Sequence, residues 1–76
     1  MSGLPVISGR EAISALERIG YQVVRQRGSH VRLRHPTDPT KVPLTIPDHR
    51  ELMPGTLRSI IRDAGLSLDQ FRELLD

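Results

Sequence analysis

In the run Ser29 to Arg34, "SHVRLR", polar and apolar residues alternate strictly from His30 onward. Side chains on a strand alternate between its two faces, so Val31 and Leu33 lie on one side and His30, Arg32 and Arg34 on the other. Val42, Leu44 and Ile46 alternate with Lys41, Pro43 and Thr45 in the same way and predict another strand. Pro43 has no N–H to give a ladder, which puts that strand at an edge or turns the proline nitrogen outward. Before the SHVRLR run, Tyr21 to Gln26 is rich in β-formers, and Arg27-Gly28 is a turn signal. The adjacent Val23 and Val24 leave the register of this first hairpin open.

Such a sheet has one apolar face, and that face needs a cover. Ser8-Gly9-Arg10-Glu11 has the form of a capping box, and Ala12, Ile13, Leu16 and Ile19 follow at helical spacing. This predicts a helix over about Gly9 to Ile19, stopped by Gly20 in a left-handed conformation. Leu57, Ile60, Ile61 and Ala64 form a second stripe, with Arg58 and Arg62 facing away and Gly65 at its end. Ser67 to Gln70 is another capping box, opening a short helix with Leu68, Phe71, Leu74 and Leu75 inward. The expected fold is α+β: α-β-β-β-α plus a short C-terminal helix, with the helices on one face of a three-stranded antiparallel sheet. At 76 residues, without an internal repeat or linker, positions 1–76 read as one domain. A domain of that size has a thin core, burying only about 60% of its unfolded surface. With no cysteine there is no disulfide or thiolate metal site to reinforce it. No apolar run approaches the length of a membrane span, and the N-terminus lacks the basic start and apolar run of a signal peptide, so a cytoplasmic protein is expected.

The net charge is only +2, yet Arg18, Arg25, Arg27, Arg32 and Arg34 fall in a window, from Arg18 to Thr37, that holds no Asp or Glu. Of the 11 basic residues, Lys41 alone is a lysine. The guanidinium fork matches phosphate oxygens better than an ammonium does. Charge by itself fits a solvated strand pair as well as a polyanion-binding face. Histidines at 30, 35 and 49, with no helical i, i+4 pair and no carboxylates among the basic strands, do not suggest a metal site or any cofactor.

In the order and spacing of its motifs the sequence resembles the HicA family, small toxins of bacterial toxin–antitoxin pairs that act as messenger-RNA interferases. The likeness is carried by Gly20-Tyr21 opening the first strand, Gly28-Ser29-His30 opening the second and Pro47-Asp48-His49 after the third. Gly55-Thr56-Leu57 with Ile60 and Ile61 in the next helix continues it, as does "DAGLS" before the last helix. It runs from about Ile7 to Leu75. The resemblance implies a fold similar to double-stranded-RNA-binding domains, RNA cleavage with His30 as the catalytic residue, and a HicB-type antitoxin as partner.

The residues are compatible with that chemistry. RNA carries its own nucleophile, the 2′-hydroxyl, so one base and a set of cations make a minimal site. A neutral imidazole is the form a general base needs, and histidine can supply it near neutral pH. Arg25, Arg27, Arg32 and Arg34 are candidate RNA ligands, with Gly28 giving close backbone approach and Ser29 a hydroxyl for phosphate or imidazole. The competing reading takes a lone histidine on a strand as ordinary surface and one or two of these arginines as serving solubility alone. His49 reads as loop-shaping, or as an auxiliary proton donor to the leaving oxygen; His35 reads as hairpin-loop surface. The competing functions are a non-catalytic RNA-binding module of the same fold and a protein-interaction domain meeting an acidic partner. Against the former, the N-terminal part of the long second helix, "MPGTLRS", holds one arginine where such modules have a basic cluster.

Overall fold

The computed structural model describes residues 3–75. Its elements follow the expected order: α1 (Gly9–Glu17), β1 (Gln22–Arg27), β2 (His30–Arg34), β3 (Leu44–Pro47), α2 (Pro54–Asp63) and α3 (Leu68–Glu73). Both capping boxes form. The Ser8 hydroxyl accepts from the Glu11 N–H while the Glu11 carboxylate accepts from the Ser8 N–H, and Ser67 with Gln70 repeats the arrangement. Helix α1 ends at Glu17, two residues before the expected limit, and the chain unwinds through Gly20 at φ 106°. Gly65, at φ 76°, closes the turn after α2. Lys41 reaches across to the Ala64 carbonyl at 2.7 Å, satisfying one of the acceptors a helix C-terminus leaves open.

The sheet is antiparallel in the order β1-β2-β3, so β3 is an edge strand, and Pro43 lies just before it, outside the ladder. Val31, Leu33, Leu44 and Ile46 point from β2 and β3 into the core. There they meet Ala12, Ile13 and Leu16 of α1, Leu57, Ile60 and Ile61 of α2, and Phe71 of α3. Each fully buried side chain such as Leu33 or Phe71 contributes about 1.5–3 kcal/mol relative to exposure. Leu68, Leu74 and Leu75 are only half-buried around that cluster.

Two apolar positions depart from the sequence reading. Val42 is 48% exposed and lies before β3, because the strand begins at Leu44. Strand β1 buries no residue. Helices α1 and α2 pack over β3, which leaves β1 at the outer edge of the covered area and Val23 and Val24 42% and 51% exposed. The open register resolves as a β-bulge: Val23 pairs with Leu33 and Arg25 with Arg32, and Val24 has no partner between them.

Candidate functional site

Gly28 and Ser29 form the two-residue turn of the first hairpin, with Arg27 opposite His30. Gly28 has φ 56°, the left-handed value expected of the first residue in a type II′ turn, and nothing lies within 4 Å of a Cβ built on it. The glycine is therefore required by its backbone angle, with open space above it.

Register sorts the side chains. Arg25 and Arg27 sit opposite Arg32 and His30, so all four share the open face, away from Val31 and Leu33. The tight turn decides this: with Arg27 opposite His30, alternation carries Arg25 to the same side, and the bulge at Val24 re-aims only the residues before it, turning Val23 to the side of Leu33. Arg25, Arg32 and Arg34 line one shallow depression with Val24 and Pro43. His30, Arg25, Arg27 and Arg34 are exposed, while Arg32 is half-buried and donates to the Thr45 hydroxyl at 2.8 Å. Arg32 thus lies flat along the sheet with part of its fork committed. No carboxylate occurs in β1, β2 or β3. Arg18, within the basic window of the sequence, leaves the site: it turns to the Leu74 carbonyl at 3.4 Å.

The turn is fastened to the segment after β3. His30 pairs with Pro47, and the Asp48 N–H donates to the Ser29 carbonyl at 2.6 Å. The motif elements Gly28-Ser29-His30 and Pro47-Asp48-His49, 19 positions apart in the chain, are therefore neighbours. The His49 carbonyl accepts from the Gly9 N–H at 2.9 Å while its side chain is exposed. That backbone bond ties His49 to the loop.

Three residues belong to this construction that sequence reading did not single out for it. Arg10 grips the Asp48 carboxylate with two nitrogens, Nε at 3.2 Å and Nη2 at 3.0 Å. The same Nη2 donates to Gln26 Oε1 at 3.3 Å, and Gln26 Nε2 donates to the Gly28 carbonyl at 3.0 Å. Gly9 packs so tightly on the Pro47 carbonyl that it has no room for a side chain. Nothing local signals these contacts: Arg10 looks like the solvated second position of a capping box, and Gln26 like a polar strand residue.

His35 corrects the sequence reading. It is a half-buried bracket between loops, not hairpin-loop surface. Its Nε2 lies 2.7 Å from the Ile19 carbonyl, and its Nδ1 accepts from the Asp38 N–H at 3.1 Å. These partners assign the proton to Nε2. The ring meets Tyr21 edge-on at 5.2 Å. Asp38 accepts from both the hydroxyl and the N–H of Thr40, and these bonds hold its carboxyl below the usual range, with lesser help from His35 and Lys41.

Among the described residues no three His, Asp or Glu side chains gather as a metal site needs, and no helix is long and apolar enough to cross a membrane. Compared with known protein families, residues 9–66 match the family model described as HicA toxin of bacterial toxin-antitoxin. No curated protein matches the chain.

Proposed function

The chain belongs to the HicA toxin family of bacterial toxin–antitoxin systems, and on that premise we propose that it is a metal-independent endoribonuclease, an mRNA interferase, with His30 as general base. The observation that carries the reading is the position of His30: exposed on the open sheet face, directly opposite Arg27, with Arg32 and Arg34 following it on the same side. His30 takes the proton of the ribose 2′-hydroxyl as that oxygen attacks phosphorus. The bond from phosphorus to the 5′-oxygen breaks, leaving a 2′,3′-cyclic phosphate, and the departing oxygen is protonated by solvent at this open face. Arg25, Arg27, Arg32 and Arg34 bind the backbone and offset the charge that grows on the phosphorane. Gly28 and Ser29 let the phosphate approach the turn. The partner is a HicB-type antitoxin whose acidic surface covers the same face, and the protein acts in the cytoplasm on messenger RNA.

The test is His30→Ala. A positioned general base is worth about 10²–10⁴-fold in rate, so cleavage falls by that factor. RNA affinity and fold persist, because the side chain is solvent-exposed and the arginines remain. Chelator leaves the parental rate unchanged, and a substrate with one deoxyribose before the scissile phosphate resists cleavage. A folded His30→Ala variant that cleaves at the parental rate refutes the assignment. If the parent binds RNA with strong salt dependence and cleaves none, it is a binding module instead.

A further inference from the structure

We propose that Arg10, Asp48 and Gln26 form a positioning clamp that holds the Gly28-Ser29 turn, and through it His30, in one geometry. The inference rests on the ribonuclease reading for its consequence but not for its structural content. Tips of hairpins are ordinarily among the most mobile parts of a fold, their carbonyls bonded to water. Here both carbonyls of the turn have protein partners. The Gly28 carbonyl accepts from Gln26 Nε2 at 3.0 Å and the Ser29 carbonyl from the Asp48 N–H at 2.6 Å. The two donors converge on one guanidinium, since Arg10 binds the Asp48 carboxylate bidentately and Gln26 through its amide oxygen. Arg10 stands on the first turn of α1, which is itself docked against the Pro47–His49 segment by the Gly9 N–H. The flexible turn is thus referenced to a helix of the core.

An exposed ion pair would be a poor device for stability alone, since such pairs contribute little and are screened by salt. Its value lies in geometry: a catalytic group must be held to within about half an ångström, and a displacement of about 1 Å costs on the order of a hundredfold in rate. Arg10 and Asp48 touch no reacting atom in this scheme. They act through the backbone of residues 28–30.

The experiment compares Asp48→Asn, Arg10→Ala and, as the mildest variant, Gln26→Met with the parent. Steady-state cleavage, RNA affinity, melting temperature and amide exchange at Asp48 are measured on each. For Asp48→Asn and Arg10→Ala, kcat falls by about tenfold to a hundredfold with KM within about twofold, because transition-state geometry is lost and ground-state binding is not. Gln26→Met loses less. Melting temperatures fall by no more than about 8 °C, as expected for an exposed pair in a domain of this size. The Asp48 N–H exchanges at least about tenfold faster in Arg10→Ala, since the segment that presents it opens more often. A purely structural role gives the opposite pattern: activity lost only in proportion to unfolding, with kcat restored on cooling. That pattern, or parental kcat in folded Asp48→Asn and Arg10→Ala, overturns the proposal. If the parent cleaves no RNA, the ribonuclease reading fails and the clamp is judged by spectroscopy. A single narrow set of His30 ring resonances that broadens or multiplies in Arg10→Ala supports it, and ring signals and Asp48 exchange unchanged by that substitution refute it.

Discussion

Gly9→Ala and Gly55→Ala make the same chemical change in the first turn of a helix, and the structure predicts opposite outcomes. By helix propensity each exchange stabilises, by roughly 0.4–1 kcal/mol, as alanine has less backbone freedom to lose. At Gly55 nothing lies within 4 Å of the added methyl, so that gain is realised. At Gly9 the methyl would overlap the Pro47 carbonyl oxygen outright, while standing 3.0 Å from Pro47 C and 3.2 Å from Asp48 Cα. All three obstacles are backbone, so no rotamer change relieves them. Either α1 or the Pro47–His49 segment must retreat, and the Gly9 N–H bond to the His49 carbonyl goes with it. Overpacking of this kind costs about 1–3 kcal/mol and the bond about 1 kcal/mol more, against the propensity gain. The net expectation for Gly9→Ala is a loss of about 1–3 kcal/mol, or a fall of about 5–20 °C in melting temperature. Urea titration read by tryptophan-independent far-UV circular dichroism separates the two variants. With a slope of about 1 kcal/mol per molar, the Gly9→Ala midpoint drops by about 1–3 M and that of Gly55→Ala rises by up to about 1 M. Upward shifts of similar size in both variants would show that α1 does not dock on the β3 end as described.

Replacing His35 by Ala removes the bonds to the Ile19 carbonyl and the Asp38 N–H and the edge contact with Tyr21, and costs about 2–3 kcal/mol in urea; a parental midpoint would return His35 to the surface. Burial of the Tyr21 ring, then the charges of Asp38 and Asp63, hold its phenol above 10.0. The folded state therefore keeps that proton longer than the unfolded chain does. Its contribution to stability is intact below the unfolded value and lost as pH rises through the raised folded one. Tyr21→Phe, which also gives up the 2.8 Å bond to the Val42 carbonyl, should be less stable at neutral pH and show a shallower alkaline decline; equal slopes would refute the account. With about four arginine–phosphate contacts to single-stranded RNA, log K should fall with log salt at a slope of about −3, and Arg32→Ala with Arg34→Ala should reduce its magnitude by about one to two. A parental slope near zero would remove the basic face from the function.

The alternation of Val31 and Leu33 with His30, Arg32 and Arg34 was sufficient to place the histidine and two arginines on an open sheet face. A period of two leaves no other choice once one side is apolar. The capping boxes at Ser8 and Ser67 and the stops at Gly20 and Gly65 were equally legible, because each is a contact or backbone angle within a few residues of chain. The motifs around Gly28-Ser29-His30 and Pro47-Asp48-His49 identified the family without revealing that they touch. What lay beyond the sequence depended on which distant groups meet. The pair Val23-Val24 is equally apolar in either register, and only pairing with β2 made Val24 the bulge and set Val23 opposite Leu33. Arg10 and Gln26 became part of the site because α1 crosses the end of β3, bringing a helix-surface guanidinium within reach of Asp48. His35, polar and beside a proline, carried no mark of its bonds to Ile19 and Asp38. Local chemistry can declare which face a side chain takes; whether that face meets solvent, a carbonyl or a carboxylate is decided by elements dozens of residues away, through packing that no short stretch of chain contains.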